Sequence, residues 1–315
     1  MIQFGKLFLR QKLMTRVLVS LIPIYLLSIY LFGLRTLVLL AVVTIAGVLS
    51  EYGIMRLING EAAKVSEAVF VSCALFTLTL PPAIPFWVAA VGIAFGIAFG
   101  KCVFGGFGRN IFNPALVGRC LIYISFPHYL TVRWSIPFSD LPGGFARFSG
   151  GVDAITSATP LVDTSVTYNP LALFLGTIPG SLGETSVLLI LAAAAYLIVT
   201  KSASWKIMLS CAVSFTLLNA ILYATGVIQQ DPLFLLMTGG FMFGTVFMTT
   251  DPISAPANNT AKIIYGVLIG LLTVVIRSFS IFTEGIMFAI LIANSFVPLI
   301  DRQVKELAQR KQVST

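Results

Sequence analysis

From residue 17 to residue 300 the chain is a succession of apolar runs, each near the length that crosses a bilayer. That repetition restricts the fold more than any other feature. A spanning helix needs roughly 20 mostly apolar residues. Ten runs approach this: 17–33, 35–50, 68–83, 86–101, 112–128, 185–200, 206–225, 233–249, 261–277 and 283–300. The runs are continuous rather than alternating, so a β-barrel, whose strands alternate over about ten residues, is excluded. Only 10% of the residues are charged and 57% are hydrophobic, against about 25% charged in soluble domains. A soluble core has no room for so much apolar surface. The expected fold is an all-α polytopic membrane protein of about ten transmembrane helices. The basic stretch "KLFLRQKLMTR" leads into the first run without a small-residue cleavage site, which reads as an anchor rather than a cleaved signal.

The Lys and Arg residues set an orientation. With the N-terminus inside, the inner segments hold sixteen of them: Lys6, Arg10, Lys12, Arg16, Arg56, Lys64, Lys101, Arg109, Arg119, Lys201, Lys206, Lys262, Arg302, Lys305, Arg310 and Lys311. The outer segments hold four: Arg35, Arg133, Arg147 and Arg277. Basic loops resist translocation. Both termini are therefore expected in the cytoplasm of a prokaryote, with the chain in its cytoplasmic membrane. The net charge of +8 then reflects topology, and no nucleic-acid partner is needed. The expected organisation is a first five-helix half (1–128), an extracytoplasmic loop (129–184), a second half (185–300) and a basic cytoplasmic tail (301–315).

Two segments echo each other. "TLTLPPAIP" closes the third run and "FMTTDPISAP" the eighth. Each has a Thr two residues before a P-x-x-x-P, Thr79 in one and Thr250 in the other. Five helices per half is an odd number, so the halves are expected as inverted repeats, a common build for proteins that carry solutes or charge through the midplane. Asp251, beside Thr250 at a broken helix end, is a candidate for an ion path, since carboxylate and hydroxyl oxygens suit a hard cation. An Asp-Pro turn role is the alternative. Cys73, Cys102, Cys120 and Cys211 have no metal-binding spacing and read as small core residues. His128 reads as an interfacial packing residue, Glu51, Glu61 and Glu67 as solvated loop charges, and no metal site is expected.

The long outer loop carries "VDAITSATPL". Small residues surround Thr159, and Pro160 pushes it toward an extended backbone, which leaves its hydroxyl accessible to modification. The run Asp153, Thr156, Ser157, Ala158, Thr159 resembles the flavin-attachment sequence D-x-x-[ST]-G-A-T of the RnfD/NqrB family, with Ser157 where the family usually has Gly. "GKCVFGGFGRNIFNPALVGR" and "FGTVFMTTDPISAP" resemble two further segments of that family, so the likeness covers nearly the whole chain. A dinucleotide fingerprint is rejected for "GGFGRN" because no strand precedes it.

The resemblance implies an FMN joined through its phosphate to Thr159 by a dedicated flavin transferase outside the cytoplasm. It also implies a place in a membrane complex that links electron flow to Na+ or H+ export. The short stretch before the first run favours the Rnf branch, which joins ferredoxin to NAD+. The other complex subunits would then be partners: membrane subunits, iron–sulfur subunits and a second flavin-bearing subunit. No residue of this chain is expected to act as a stand-alone catalyst. Arg147 and Arg133 are candidate counter-charges for the phosphodiester, and Asn110 and Asn113 are candidate contacts for a second, noncovalent riboflavin. The competing reading is a solute channel or transporter on a related inverted-repeat fold.

Overall fold

The computed structural model describes residues 8–9, 11–131, 135–149, 169–238, 240–280, 282 and 284–313. The described chain is almost entirely helical, and it is an all-α polytopic membrane protein. Among the described residues, five helices are long and apolar enough to span a membrane, with shorter apolar helices between them. The chain divides into two compact units, Met1–Ser202 and Ala203–Thr315.

The first unit opens with a two-residue strand, β1 (Phe8–Leu9), paired in parallel with β2 (Val65–Ser66). Its helices are α1 (Lys12–Phe32), α2 (Arg35–Asn59), α3 (Ala68–Leu78), α4 (Phe86–Ile97), α5 (Pro114–Ser125), α6 (Pro127–Thr131), α7 (Pro170–Leu175) and α8 (Val187–Val199). A wider π turn, Ala98–Cys102, continues α4. Helix α2 runs nine residues past the predicted span, so Glu51 lies within it rather than in a loop.

Helices pack in lipid by close approach of small residues, because lipid tails offer no hydrophobic penalty to escape. Gly92, Gly96 and Gly100 recur every fourth residue on α4 and its π turn, and face the start of α5. A Cβ on Gly96 would stand 2.3 Å from the Pro114 carbonyl oxygen, and one on Gly118 2.5 Å from the Gly92 carbonyl oxygen. Backbone meets backbone here, so a side chain forces the helices apart. Gly118→Val is expected to destabilise the first unit by about 3 kcal/mol, measured as a fall in thermal unfolding midpoint in detergent.

Helix α3 stops in mid-apolar sequence, and its end needs partners for its carbonyl groups, since lipid supplies none. The connector that follows it, residues 79–85, needs them too, and two sources serve the pair. The backbone amides of Leu182 and Gly183 donate to Leu80 (3.1 Å) and Leu78 (2.8 Å). The Arg35 guanidinium donates to the Pro82 and Ile84 carbonyls and lies 4.6 Å from the Phe86 ring centre. The end of the predicted outer loop thus folds inward as buried, non-helical backbone.

The second unit holds α9 (Trp205–Ala224), α10 (Pro232–Met237), α11 (Phe241–Phe243) leading into a π turn (Gly244–Met248), α12 (Asn259–Phe279) and α13 (Ile286–Val313). The predicted run 233–249 is therefore two pieces. Arg277 donates to the Leu235 and Thr238 carbonyls at that break, with its guanidinium over Phe215 and Phe241. Gly266 and Gly270 of α12 meet Ser210 and Ser214 of α9. The rising register shows that these two helices run parallel. Both echo segments are non-helical connectors between helices, one in each unit. Cys73, Cys102 and Cys211 are buried among apolar neighbours.

Candidate functional site

The attachment motif, Asp153, Thr156, Ser157, Ala158 and Thr159, lies outside the described residues, as does Arg133. What fixes its approach is described. Residues 138–148 form a strap across the ends of α1 and α2. The Phe138 amide donates to Leu31, Leu34 to Arg147, and Arg35 to Phe148, at 2.7–2.9 Å. Gly143 (φ 64°) and Gly144 press on the backbone of Tyr30 and Ile29, where a Cβ would not fit. The strap is thus anchored on α1 and α2 up to Phe148, and the described residues stop at Ser149.

Arg147 sits in this strap and is half-exposed. Its Nη2 and Nη1 donate to the two oxygens of Asp140 at 2.7 and 3.3 Å, and its guanidinium lies 4.9 Å from the Phe138 ring centre. Its charge is thus already shared with a neighbouring carboxylate. An exposed pair of this kind contributes about 0–1 kcal/mol.

Asn110 and Asn113 come together between the π turn and α5, and both are buried. The Asn113 Oδ1 accepts from the Ala115 amide at 3.0 Å and caps α5, with Pro114 at its first position. This is a helix-start role. Asn110 differs. Its Nδ2 donates to the Phe112 carbonyl at 3.2 Å, while its buried Oδ1 has no hydrogen-bond partner. Gly105, Gly106 and Gly108 precede it with φ of 100°, 93° and 85°. Only glycine adopts that backbone readily, and it lets another group approach closely.

Thr250 and Asp251 follow the π turn of the second unit. The Thr250 hydroxyl donates to the Val246 carbonyl at 2.6 Å. The Asp251 carboxylate accepts from the Ile253 amide (3.3 Å) and the Ser254 hydroxyl (3.0 Å). Both contacts are local to the turn. Oxygen atoms are concentrated here at a broken helix, with Asp251 half-buried.

Two buried ion pairs were missed in the sequence. The Lys101 Nζ lies 2.7 Å and 2.8 Å from the two Glu51 oxygens and 2.6 Å from the Ser66 hydroxyl, and both side chains are 2% exposed. Glu51 is therefore no solvated loop charge. The π turn presents Lys101 inward, across α2 and β2. Glu67 is also engaged, accepting from the Gln11 amide at 2.7 Å. The Arg119 Nη1 meets the Glu184 Oε1 at 2.7 Å, again buried. Lys101 and Arg119 thus leave the tally of inner loop charges, as Arg35 and Arg277 leave the outer one, and sixteen against four becomes fourteen against two. A signal was present: a lone cation inside an apolar run, in "FGKC" and "VGRC", is expensive unless it has a partner or a function.

A family profile described as "NQR2, RnfD, RnfE family" matches residues 9–309. Relatives carry the name of the B subunit of the Na(+)-translocating NADH-quinone reductase. That of Azotobacter vinelandii is 40% identical over 262 residues, covering 80% of this chain and 63% of its own. That of Chromohalobacter salexigens is 42% identical over 249 residues, covering 76% and 58%. That of Pseudomonas aeruginosa PAO1 is 40% identical over 262 residues, covering 80% and 63%. The chain thus spans about three-fifths of the length of the curated relatives it matches. With the family profile extending from the first described strand to the last helix, this chain belongs to the NQR2, RnfD, RnfE family.

Proposed function

We propose that this chain is a membrane flavoprotein subunit of an ion-translocating oxidoreductase complex, carrying FMN as a phosphoester on Thr159. The observation that carries the reading is the run Asp153–Ala154–Ile155–Thr156–Ser157–Ala158–Thr159 in a member of this family. A flavin supplies one- and two-electron transfer, and the protein supplies placement. The strap of residues 138–148 precedes the motif in the chain, and Arg147 is proposed as a counter-charge for the phosphodiester. Attachment suits a loop outside the cytoplasm, as the basic-residue count expects. A free FMN would diffuse away there, and a flavin transferase on that side would be the required partner.

Asn110 supports a second, noncovalent flavin. Its buried, unpartnered Oδ1 fits the ring N–H of an isoalloxazine, and the glycine turn before it admits a flat ring. Riboflavin is the flavin proposed. Asn110→Leu is expected to lose the flavin that acid extraction releases while keeping the flavin that stays with denatured protein. Asn113 belongs to this site only through the helix start it caps. Thr250 and Asp251 are proposed to border the ion path. Lys101 and Arg119 are neutralised by their partners Glu51 and Glu184.

Two electron circuits suit such a subunit. The sequence reading favours the Rnf arrangement, from reduced ferredoxin to NAD+. The names of the relatives favour NADH to quinone. Assaying the purified complex decides: ferredoxin-dependent NAD+ reduction supports the first, and quinone reduction by NADH replaces it with the second. Mass spectrometry of the peptide spanning Thr159, taken from the native complex, tests the core proposal. FMN on that peptide is expected. A bare peptide in a complex with an active transferase would favour the channel or transporter reading.

A further inference from the structure

The second unit carries a groove of about 620 Å³ along the outside of α9 and α12. Its floor is Leu209, Val213 and Leu217 of α9 with Ile263, Val267 and Leu271 of α12. The serines in its bed offer nothing polar, since Ser210 and Ser214 donate to their own helix at Ile207 and Cys211. One end differs. Trp205 and Lys206 line the mouth, with the Lys206 ammonium 6.0 Å from the indole centre. Because Gly266 faces Ser210 and Gly270 faces Ser214, the parallel register sets Lys262 level with Lys206. One lysine thus lines the mouth of an otherwise apolar channel, and a second stands at the same level on the neighbouring helix, one residue before the lining Ile263. The acidic residues near this end are engaged elsewhere: Asp301 accepts from the amides of Ala257 and Asn258, Asp251 from the Ile253 amide and the Ser254 hydroxyl, and Glu306 pairs with Arg302.

We propose that this groove is a binding site for one anionic phospholipid, its headgroup phosphate between Lys206 and Lys262 and one acyl chain along the α9–α12 groove. The size fits. A water-sized unit occupies about 30 Å³, so the groove takes roughly twenty such units, the bulk of one lipid chain and far less than a helix. From Lys206 to Ile221 the bed rises about 22 Å, long enough for the chain to lie at full length. The mouth fits as well: basic pockets between membrane helices select anionic headgroups, and tryptophan prefers the interface where the headgroup sits.

The test is native mass spectrometry of the intact complex from nanodiscs of phosphatidylcholine and phosphatidylglycerol. The wild-type complex is expected to retain phosphatidylglycerol on this subunit. Lys206→Gln with Lys262→Gln should lower that retention roughly thirtyfold, about fivefold for each lysine, and Lys206→Arg with Lys262→Arg should restore it. Val213→Trp, which fills the bed and spares both lysines, should also release the lipid. Equal retention by the glutamine variant overturns the proposal. So does a photo-crosslinker at Val213 that captures a protein subunit in place of lipid, which would make the groove a helix-docking face.

Discussion

With Thr159 replaced by alanine, the subunit is expected to reach the membrane in normal amount and to lose its flavin band entirely. The measurement is in-gel fluorescence of denatured protein from cells that contain an active flavin transferase. Denaturation strips any noncovalent flavin, so only an ester survives to be seen. The ester needs a hydroxyl, and alanine has none. Thr159 stands among small residues in the sequence, and a surface substitution usually changes stability by within about 0.5 kcal/mol. Loss of the band therefore reports chemistry rather than folding. Thr156 and Ser157 offer neighbouring hydroxyls, which makes the control informative. Thr156→Ala should keep the band, and Thr159→Ser should keep part of it. A band that survives Thr159→Ala would move the attachment to a neighbour. Electron transfer through the complex should fall with the band.

The spans were legible because a bilayer imposes one length and one composition on every helix that crosses it. Their inequality was not. Helix α3 ends at Leu78 although apolar residues continue, and groups distant in sequence take up the carbonyls freed there: the Gly183 amide that of Leu78, the Leu182 amide and Arg35 those of the connector after it. The run 233–249 breaks in the same way, with Arg277 as the donor. Both arginines were counted as outer loop charges, and pattern alone says nothing of a side chain that turns back into a broken helix. The glycines at 92, 96 and 100 were visible as a spacing, yet their partner helix was not. At the candidate site, the motif around Thr159 was readable as a resemblance because it is a short local sequence. The buried pairs needed contacts across about fifty or more residues, and a lone Lys or Glu in sequence resembles a loop charge. Asn113 and Asn110 looked alike in the sequence; only the hydrogen bonds separate a helix cap from an unpartnered acceptor.

The Glu51–Lys101 pair leads to the second large effect. Lys101→Met should destabilise the first unit by about 3–5 kcal/mol, because it strands a buried carboxylate that the Ser66 hydroxyl cannot neutralise. Glu51→Gln strands the ammonium and should be similarly severe. Joining Lys101→Met to Glu51→Leu removes both charges and leaves apolar groups of comparable volume. A buried pair regains little beyond its desolvation cost, so the double variant should recover most of the lost stability. The readout is the thermal unfolding midpoint of the purified protein in detergent, taken as a double-mutant cycle. The order distinguishes two roles for the pair. If attraction between the charges holds β2 and the π turn against α2, the double variant stays as weak as the single ones. If the neighbourhood is held by packing and the charges only cancel each other, the double variant approaches wild type. The geometry favours the second outcome: Val65, Cys102 and Leu39 are fully buried around the pair's elements, and the glycine contacts of α4 with α5 continue without it. A double variant no more stable than Lys101→Met would show that the pair itself positions the π turn, and with it the glycine turn that leads to Asn110.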